Sequence, residues 1–343
     1  MTRRALLLAA AGGPTRGTVA FHYAAVFDNR AVAWYTRFEV LVLGAILAAD
    51  QTRRLRAAGP SRLIAYEWSS GFYAGDPVSS PLDWQEQVRA KRWGLNAEPV
   101  TGGAAEGGRG AIWYDYSNPE LCRERARYLA TRVNAAGYDG IFLDTLGFEQ
   151  LPPPMRQAYA QRYPSSDYNK GQAQFLADLR RMLPGKIVFL NQGYRQASLF
   201  LPYADFDLTE SYMTAVDNKG GTRFRTWHDP KLPWEAVKTP LEQLILPAAR
   251  RYPGVRFVHL NYAAGPPAVV QQAAWYSYAC AKLFQHEAYL VAPGAAPLEE
   301  SDCYFHPLGK PLEPVYREGG GRVTRRFEGG TVGIEGLRGF LTP

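Results

Sequence analysis

Eight short apolar runs recur along this chain of 343 residues, and most are separated by stretches with helical signals. That alternation limits the fold more than any other feature. The runs are Thr18–Tyr23, Phe38–Gly44, Leu63–Trp68, the GYDGIFLDT stretch from Gly137 to Thr145, Lys186–Asn191, Phe206–Tyr212, Val255–Asn261 and Ala288–Val291. Apolar runs of this length fit strands covered on both faces, which belong to parallel sheets. Between them lie helical stretches. Asp50 is the expected N-cap of one, and Ser117 or Asn118 caps another that has Pro119 at its first position. Further stretches cover 152–163, 169–182, 240–251 and 267–284. Eight strands alternating with helices close a (β/α)8 TIM barrel of the α/β class. A doubly wound open sheet is the weaker alternative, because no glycine-rich phosphate fingerprint follows the first run.

Two regions break the alternation. Ser69 to Gly110 is expected to be a long irregular segment, and such segments inside compact domains usually serve function. Past Ser301 the runs Arg322–Phe327 and Thr331–Ile334 flank Gly329-Gly330, which predicts a β-hairpin. The expected organisation is a lead-in over 1–17, a barrel over 18–300 and a small C-terminal β-hairpin appendage over 301–343. Arg3-Arg4 followed by Ala5–Ala11 has the shape of a short signal-peptide core without a clear cleavage site, which tilts the expected location to secreted or cell envelope.

Composition excludes several classes. The formal charge is +7, but the basic pairs are scattered along the whole chain, so no nucleic-acid partner is expected. No apolar run is long enough to span a membrane. Cys122, Cys280 and Cys303 lack CxxC spacing, which argues against zinc or a redox dithiol. Cys280 and Cys303 are open to pairing in an oxidising compartment, with buried free thiols as the alternative.

Polar groups recur where the runs end: Tyr23, Glu67, Asp144, Asn191, Glu210, and His259 with Asn261. In barrel enzymes that end of the strands carries the chemistry. Carboxylates converging on one mouth shift each other's pKa, an arrangement with catalytic use. Glycoside hydrolysis is the reaction that most directly needs two carboxylates and no cofactor or metal. Asp144 and Glu210 are the expected catalytic pair. Tyr23, Glu67, Trp68, Asp115, Asn191, Tyr212, His259 and Asn261 are the expected substrate-binding groups. Each has a structural alternative: an arginine ion pair for Glu67, a turn before Pro119 for Asp115, core packing for Trp68, and backbone satisfaction for the buried strand-end polar groups.

The motifs GYDGIFLD, DLTESY and WYDYSNPE together resemble the endo-α-1,4-polygalactosaminidase family of glycoside hydrolases and related glycoside hydrolases. The resemblance covers roughly residues 18 to 292, and the closing LGKPLEP and RRFEGGTV segments are similar to the β-tail of some relatives. It implies a TIM barrel, Asp144 as the catalytic acid of strand four and Glu210 as that of strand six. Tyr66-Glu67-Trp68 stands where the family has a Gly-Glu pair, and the Ser69–Gly110 insertion has no counterpart. The expected activity is hydrolysis of O-glycosidic bonds in a polysaccharide, with amino-sugar polymers among the substrates. A glycan-binding barrel without catalysis is the alternative.

Overall fold

The computed structural model describes residues 16–23, 27–44, 49–77, 80–101, 110–292 and 302–343. Its centre is an eight-stranded parallel sheet in strictly sequential order: β1 (Gly17–His22), β2 (Phe38–Leu43), β3 (Arg62–Trp68), β4 (Gly140–Asp144), β5 (Ile187–Asn191), β6 (Phe206–Glu210), β7 (Arg256–Tyr262) and β8 (Glu287–Val291). β8 lies against β1, so the sheet curls into a nearly closed TIM barrel. All eight expected strands are present, with ends displaced by up to three residues.

The GYDG motif shows why this sequence makes this turn. Asn118 caps helix Pro119–Ala135 by accepting the Glu120 and Leu121 amides. The chain then reverses through Gly137 at φ +70°, a conformation that favours glycine. Asp139 accepts the Leu63 amide and pairs with Arg56, pinning the entry of β4 to β3. At Gly140 an added Cβ would meet the Ile187 carbonyl at 2.3 Å, so only glycine lets β4 and β5 approach.

Side-chain direction then divides each strand. Phe21, Phe142 and Phe189 meet inside the barrel, with ring centroids 5.8, 5.9 and 5.2 Å apart. Tyr66, Phe206 and Tyr289 join them. Because the strand period is two, Tyr23, Asp144, Asn191 and Glu210 carry the same inward direction at the strand ends. Within the strands, the residues that alternate with these face the surrounding helices.

Three expectations change. The segment after β3 is not irregular: it holds helix Leu82–Lys91 and a small antiparallel sheet of Gly71–Tyr73, Gly110–Trp113 and Val100–Thr101. Trp84 and Trp93 are buried and bring it onto the barrel, Trp84 stacking on Tyr128 and donating to the Tyr114 hydroxyl. The C-terminal tail is a four-stranded antiparallel sheet and not a single hairpin: β9 (Arg317–Gly319), β10 (Arg322–Phe327), β11 (Gly330–Glu335) and β12 (Arg338–Thr342). It sits on helix Pro267–Lys282, and Gly339 is required there because a Cβ would fall 2.0 Å from the Trp275 carbonyl. Asp50 lies within the first turn of helix Ala49–Ala58 instead of preceding it.

All three cysteines are buried, and no disulfide joins Cys280 to Cys303. No helix among the described residues is long and apolar enough to cross a membrane. The signal-like segment and most of the lead-in lie outside the described residues, as do 102–109 of the insertion.

Candidate functional site

The inward-facing strand ends converge on one hydrogen-bonded cluster. Asn191, only 5% exposed at the tip of β5, donates from its single amide nitrogen to Asp144 Oδ1 at 2.7 Å and to Glu210 Oε2 at 2.9 Å. The two carboxylate oxygens therefore lie no farther apart than the sum of those bonds, about 5.6 Å. Tyr66 donates to Asp144 Oδ2 at 2.6 Å, and the Thr145 amide to Oδ1 at 2.8 Å. Tyr262, the last residue of β7, donates to Glu210 Oε1 at 2.7 Å. Tyr23, 42% exposed, reaches the Tyr262 hydroxyl at 3.4 Å and sets its ring edge-on to Tyr66.

The electrostatics bear on Glu210. Burial pushes the Glu210 pKa up from its ordinary value, the negative charge of Asp144 pushes it further, and the bonds from Tyr262 and Asn191 hold it back. Burial and the adjacent carboxylates also push the Tyr66 and Tyr262 hydroxyls up, so both stay protonated and act as donors. The amide oxygen of Asn191, fully enclosed, has no hydrogen-bond partner among the described residues.

The structure brings Asp144, Glu210, Asn191 and Tyr23 together and places the other expected binding groups elsewhere. Glu67 faces outward into a buried ion pair with Arg125, with Arg132 at 3.4 Å, so the arginine alternative is the correct one. His259 is fully buried between Thr209 and His286, its Nε2 at 2.9 Å from His286 Nδ1. Burial, reinforced by His286, holds its pKa well below normal, so it is neutral and structural. Asn261, also fully buried, accepts the amides of Met213 and Thr214 at 2.8 and 3.1 Å, fixing the loop after β6. Tyr212 spends its hydroxyl on the Val237 carbonyl. Asp115 organises the turn by accepting the Ser117 amide at 3.1 Å, with Arg162 at 3.5 Å. Trp68 is the exception: as the register partner of Asp144 and two residues beyond Tyr66 it shares the inward direction, with its ring buried against Tyr73 and Trp113. No group of His, Cys, Asp and Glu among the described residues is arranged to hold a metal.

Tyr66 and Tyr262 were not expected from sequence. Each adjoins a residue that was: Tyr66 precedes Glu67, and Tyr262 follows Asn261. The strands were found and the facing was missed by one position.

The eight-stranded parallel barrel is of the TIM-barrel class, the fold of many glycoside hydrolases. More particularly, the chain belongs to hypothetical glycosyl hydrolase family 15, whose family model matches residues 100–331. This agrees with the glycoside hydrolase resemblance of the strand motifs. Among solved structures it is similar to the glycoside hydrolase domain of PelA from Pseudomonas aeruginosa, at 22% identity and TM-score 0.56, over 84% of this chain and 97% of that one. It is also similar to a noncanonic maltogenic α-amylase, AmyB from Thermotoga neapolitana, at 10% identity and TM-score 0.50, over 93% of this chain and 85% of that one. The Aspergillus fumigatus protein Ega3, solved with galactosamine, aligns at 10% identity and TM-score 0.43 over 73% of this chain and 77% of its own. At such identities the likeness is one of fold. No curated protein matches the chain.

Proposed function

We propose that this protein hydrolyses O-glycosidic bonds of a polysaccharide by a two-carboxylate mechanism with retention of configuration, Asp144 acting as nucleophile and Glu210 as general acid/base. The observation that carries the proposal is the shared donor Asn191, which keeps the acids within about 5.6 Å of each other. Retaining enzymes hold their carboxyl groups about 5–5.5 Å apart, whereas inverting ones leave about 6.5–9.5 Å for a water. A barrel that only binds glycan has no need of that spacing.

The roles follow from the environments. Glu210, whose pKa is raised by burial and by Asp144, holds a proton to give. In the first step that proton passes to the glycosidic oxygen as its bond to the anomeric carbon breaks, and an Asp144 oxygen bonds to that carbon. In the second, the Glu210 carboxylate takes a proton from water, the water oxygen bonds to the anomeric carbon, and Asp144 leaves as carboxylate. Neither step needs a cofactor or metal. Tyr66 and Asn191 fix the carboxylate oxygens of Asp144 by hydrogen bonds. The carbohydrate is taken to be a polymer because the barrel's mouth side carries long additions, and amino-sugar chains belong on the first panel because of the family motifs.

The test is a product screen over polysaccharides, amino-sugar polymers included, followed by proton NMR of the first product formed. Retention is expected; an initially inverted anomer would refute the nucleophile assignment, and no cleavage of any member would refute the activity.

A further inference from the structure

Among the described residues five that are not glycine have φ between +53° and +62°: Arg92, Thr145, Gln192, Ser211 and Gln285. Three of the five directly follow the tips of adjacent strands: Thr145 after Asp144, Gln192 after Asn191, and Ser211 after Glu210. An L residue there sets its Cβ against its own backbone, and a β-branched one such as threonine does so most severely. Glycine would make each turn without that strain.

The turns do not need these side chains to hold their shape. Backbone atoms hold them: the Gln192 amide donates to the Leu208 carbonyl at 2.8 Å and the Ser211 amide to the Leu260 carbonyl at 2.9 Å. The Thr145 carbonyl accepts from the Ser69 hydroxyl at 3.2 Å and from that of Ser70. Nor are the side chains absorbed by packing. All three residues are half-buried, and among the described residues neither the Thr145 nor the Ser211 hydroxyl has a hydrogen-bond partner. Gln192 uses its carbonyl oxygen to accept from Gln150 and Arg195, at 3.1 and 2.5 Å, leaving its amide nitrogen as a donor. Three strained positions in a row at the barrel mouth thus carry polar groups with unused hydrogen-bonding capacity, where glycine would serve the backbone better.

Resting on the glycoside hydrolase reading above, we propose that the side chains of Thr145, Gln192 and Ser211 bind the hydroxyl groups of the sugar units flanking the cleaved bond and so determine substrate specificity. The strain is retained because the side chain is used. Sugars suit such a rim, since two hydroxyls and an amide can each both match and discriminate the orientation of ring hydroxyls.

The experiment is a set of glycine variants, Thr145→Gly, Gln192→Gly and Ser211→Gly, with Arg92→Gly and Gln285→Gly as controls at positive-φ positions that do not follow a strand tip. Each is assayed for Tm and for KM and kcat on the panel polysaccharide that the unmodified enzyme cleaves. For the three mouth variants the expected result is an unchanged or raised Tm with kcat/KM lowered on the order of three- to tenfold each, the size of one neutral hydrogen bond. Thr145→Asn and Ser211→Asn, which tolerate this backbone and restore a polar group, should recover part of the loss. The controls should leave kinetics unmoved. Kinetic parameters within about twofold of the parent in all three mouth variants would overturn the proposal, since that is less than one hydrogen bond. So would a marked fall in Tm, because the side chains would then be structural. If instead Asp144→Asn and Glu210→Gln keep their activity, it is the catalytic assignment that fails.

Discussion

The two faces of the same eight strand ends behave as different materials. On the inward face, Asp144, Glu210, Tyr66 and Tyr262 are half-buried and bonded to one another, yet keep an edge open to the mouth. On the outward face, Glu67, Asp207, His259 and Asn261 are sealed beneath helices and satisfied within the protein. Asp207 spends its carboxylate on the Gly193 and Tyr194 amides at 2.7 and 2.8 Å. Sequence offers the same residue types to both faces, and one step along a strand decides whether an acid faces the mouth or is sealed behind the sheet. Inward substitutions should therefore change kinetics, and outward ones should change stability.

The sharpest separation comes from the acids. Asp144→Asn and Glu210→Gln are each expected to lower turnover by roughly 10³-fold or more while leaving the unfolding transition cooperative. Retention of turnover within about tenfold in both, on a confirmed substrate, would break the comparison at its inward side. The outward counterpart is Arg125→Leu, which leaves the buried Glu67 carboxylate with only the 3.4 Å contact to Arg132. It should cost about 3–5 kcal/mol in urea unfolding, with kcat/KM of the folded protein unchanged. A kinetic defect without a stability defect would place Arg125 with the site instead.

How much of this was legible beforehand follows from how strands announce their facing. The eight strands stood out because each is short, apolar and bounded, and Asp144 and Glu210 because an acid closing such a run is expensive without a use. Facing was legible where a phenylalanine lay two residues before the tip, as in Phe21 and Tyr23, Phe142 and Asp144, Phe189 and Asn191. In β7 the same cue misleads. Phe257 turns outward onto the His286 ring at 5.4 Å, so counting in twos from it selects His259 and Asn261 and passes over Tyr262. Strands apolar on both faces carry no alternation to correct that error. The Ser69–Gly110 segment was opaque for another reason: its order comes from Trp84 and Trp93 packing on helix Pro119–Ala135 and its surroundings, contacts distant in sequence.

The tyrosines test the comparison at finer scale. Tyr66→Phe and Tyr262→Phe each remove a hydrogen bond to one of the two proposed catalytic carboxyl groups, an interaction of about 1.5–3 kcal/mol where charge is involved, so kcat should fall roughly 10- to 100-fold. They should differ in pH dependence. The Tyr262 bond holds the Glu210 pKa down, so its removal moves the alkaline limb of kcat/KM to higher pH. Tyr66→Phe has no such direct bond to Glu210. Identical limbs in the two variants and the parent would mean that Glu210 is not the acid whose ionisation governs the profile.

The smallest effect is on stability against pH, where the two faces have opposite signs. Glu210 has a folded pKa raised above its ordinary 4.5, so the stability it contributes is full below that value and lost as pH rises through the folded value. Glu210→Gln, which cannot ionise, should thus melt a few degrees above the parent at neutral pH, and the gain should vanish near pH 4. His286 on the outward face is pushed by burial down to about 3, and its neutral form is the one that fits against His259. Its contribution is present above the ordinary 6.5 and lost as pH falls below it. Asp207, raised by burial to about 7, adds a loss on the alkaline side that both proteins share, so the difference between parent and variant isolates Glu210. Melting curves of parent, Glu210→Gln and His286→Gln from pH 4 to 8 should show the first substitution helping only toward neutral pH, and the second flattening the acid decline. A Glu210→Gln protein that gains nothing at pH 7 would mean its carboxylate is stabilised by its two donors as fully as the sealed groups behind it, and the distinction between the faces would not extend to electrostatics.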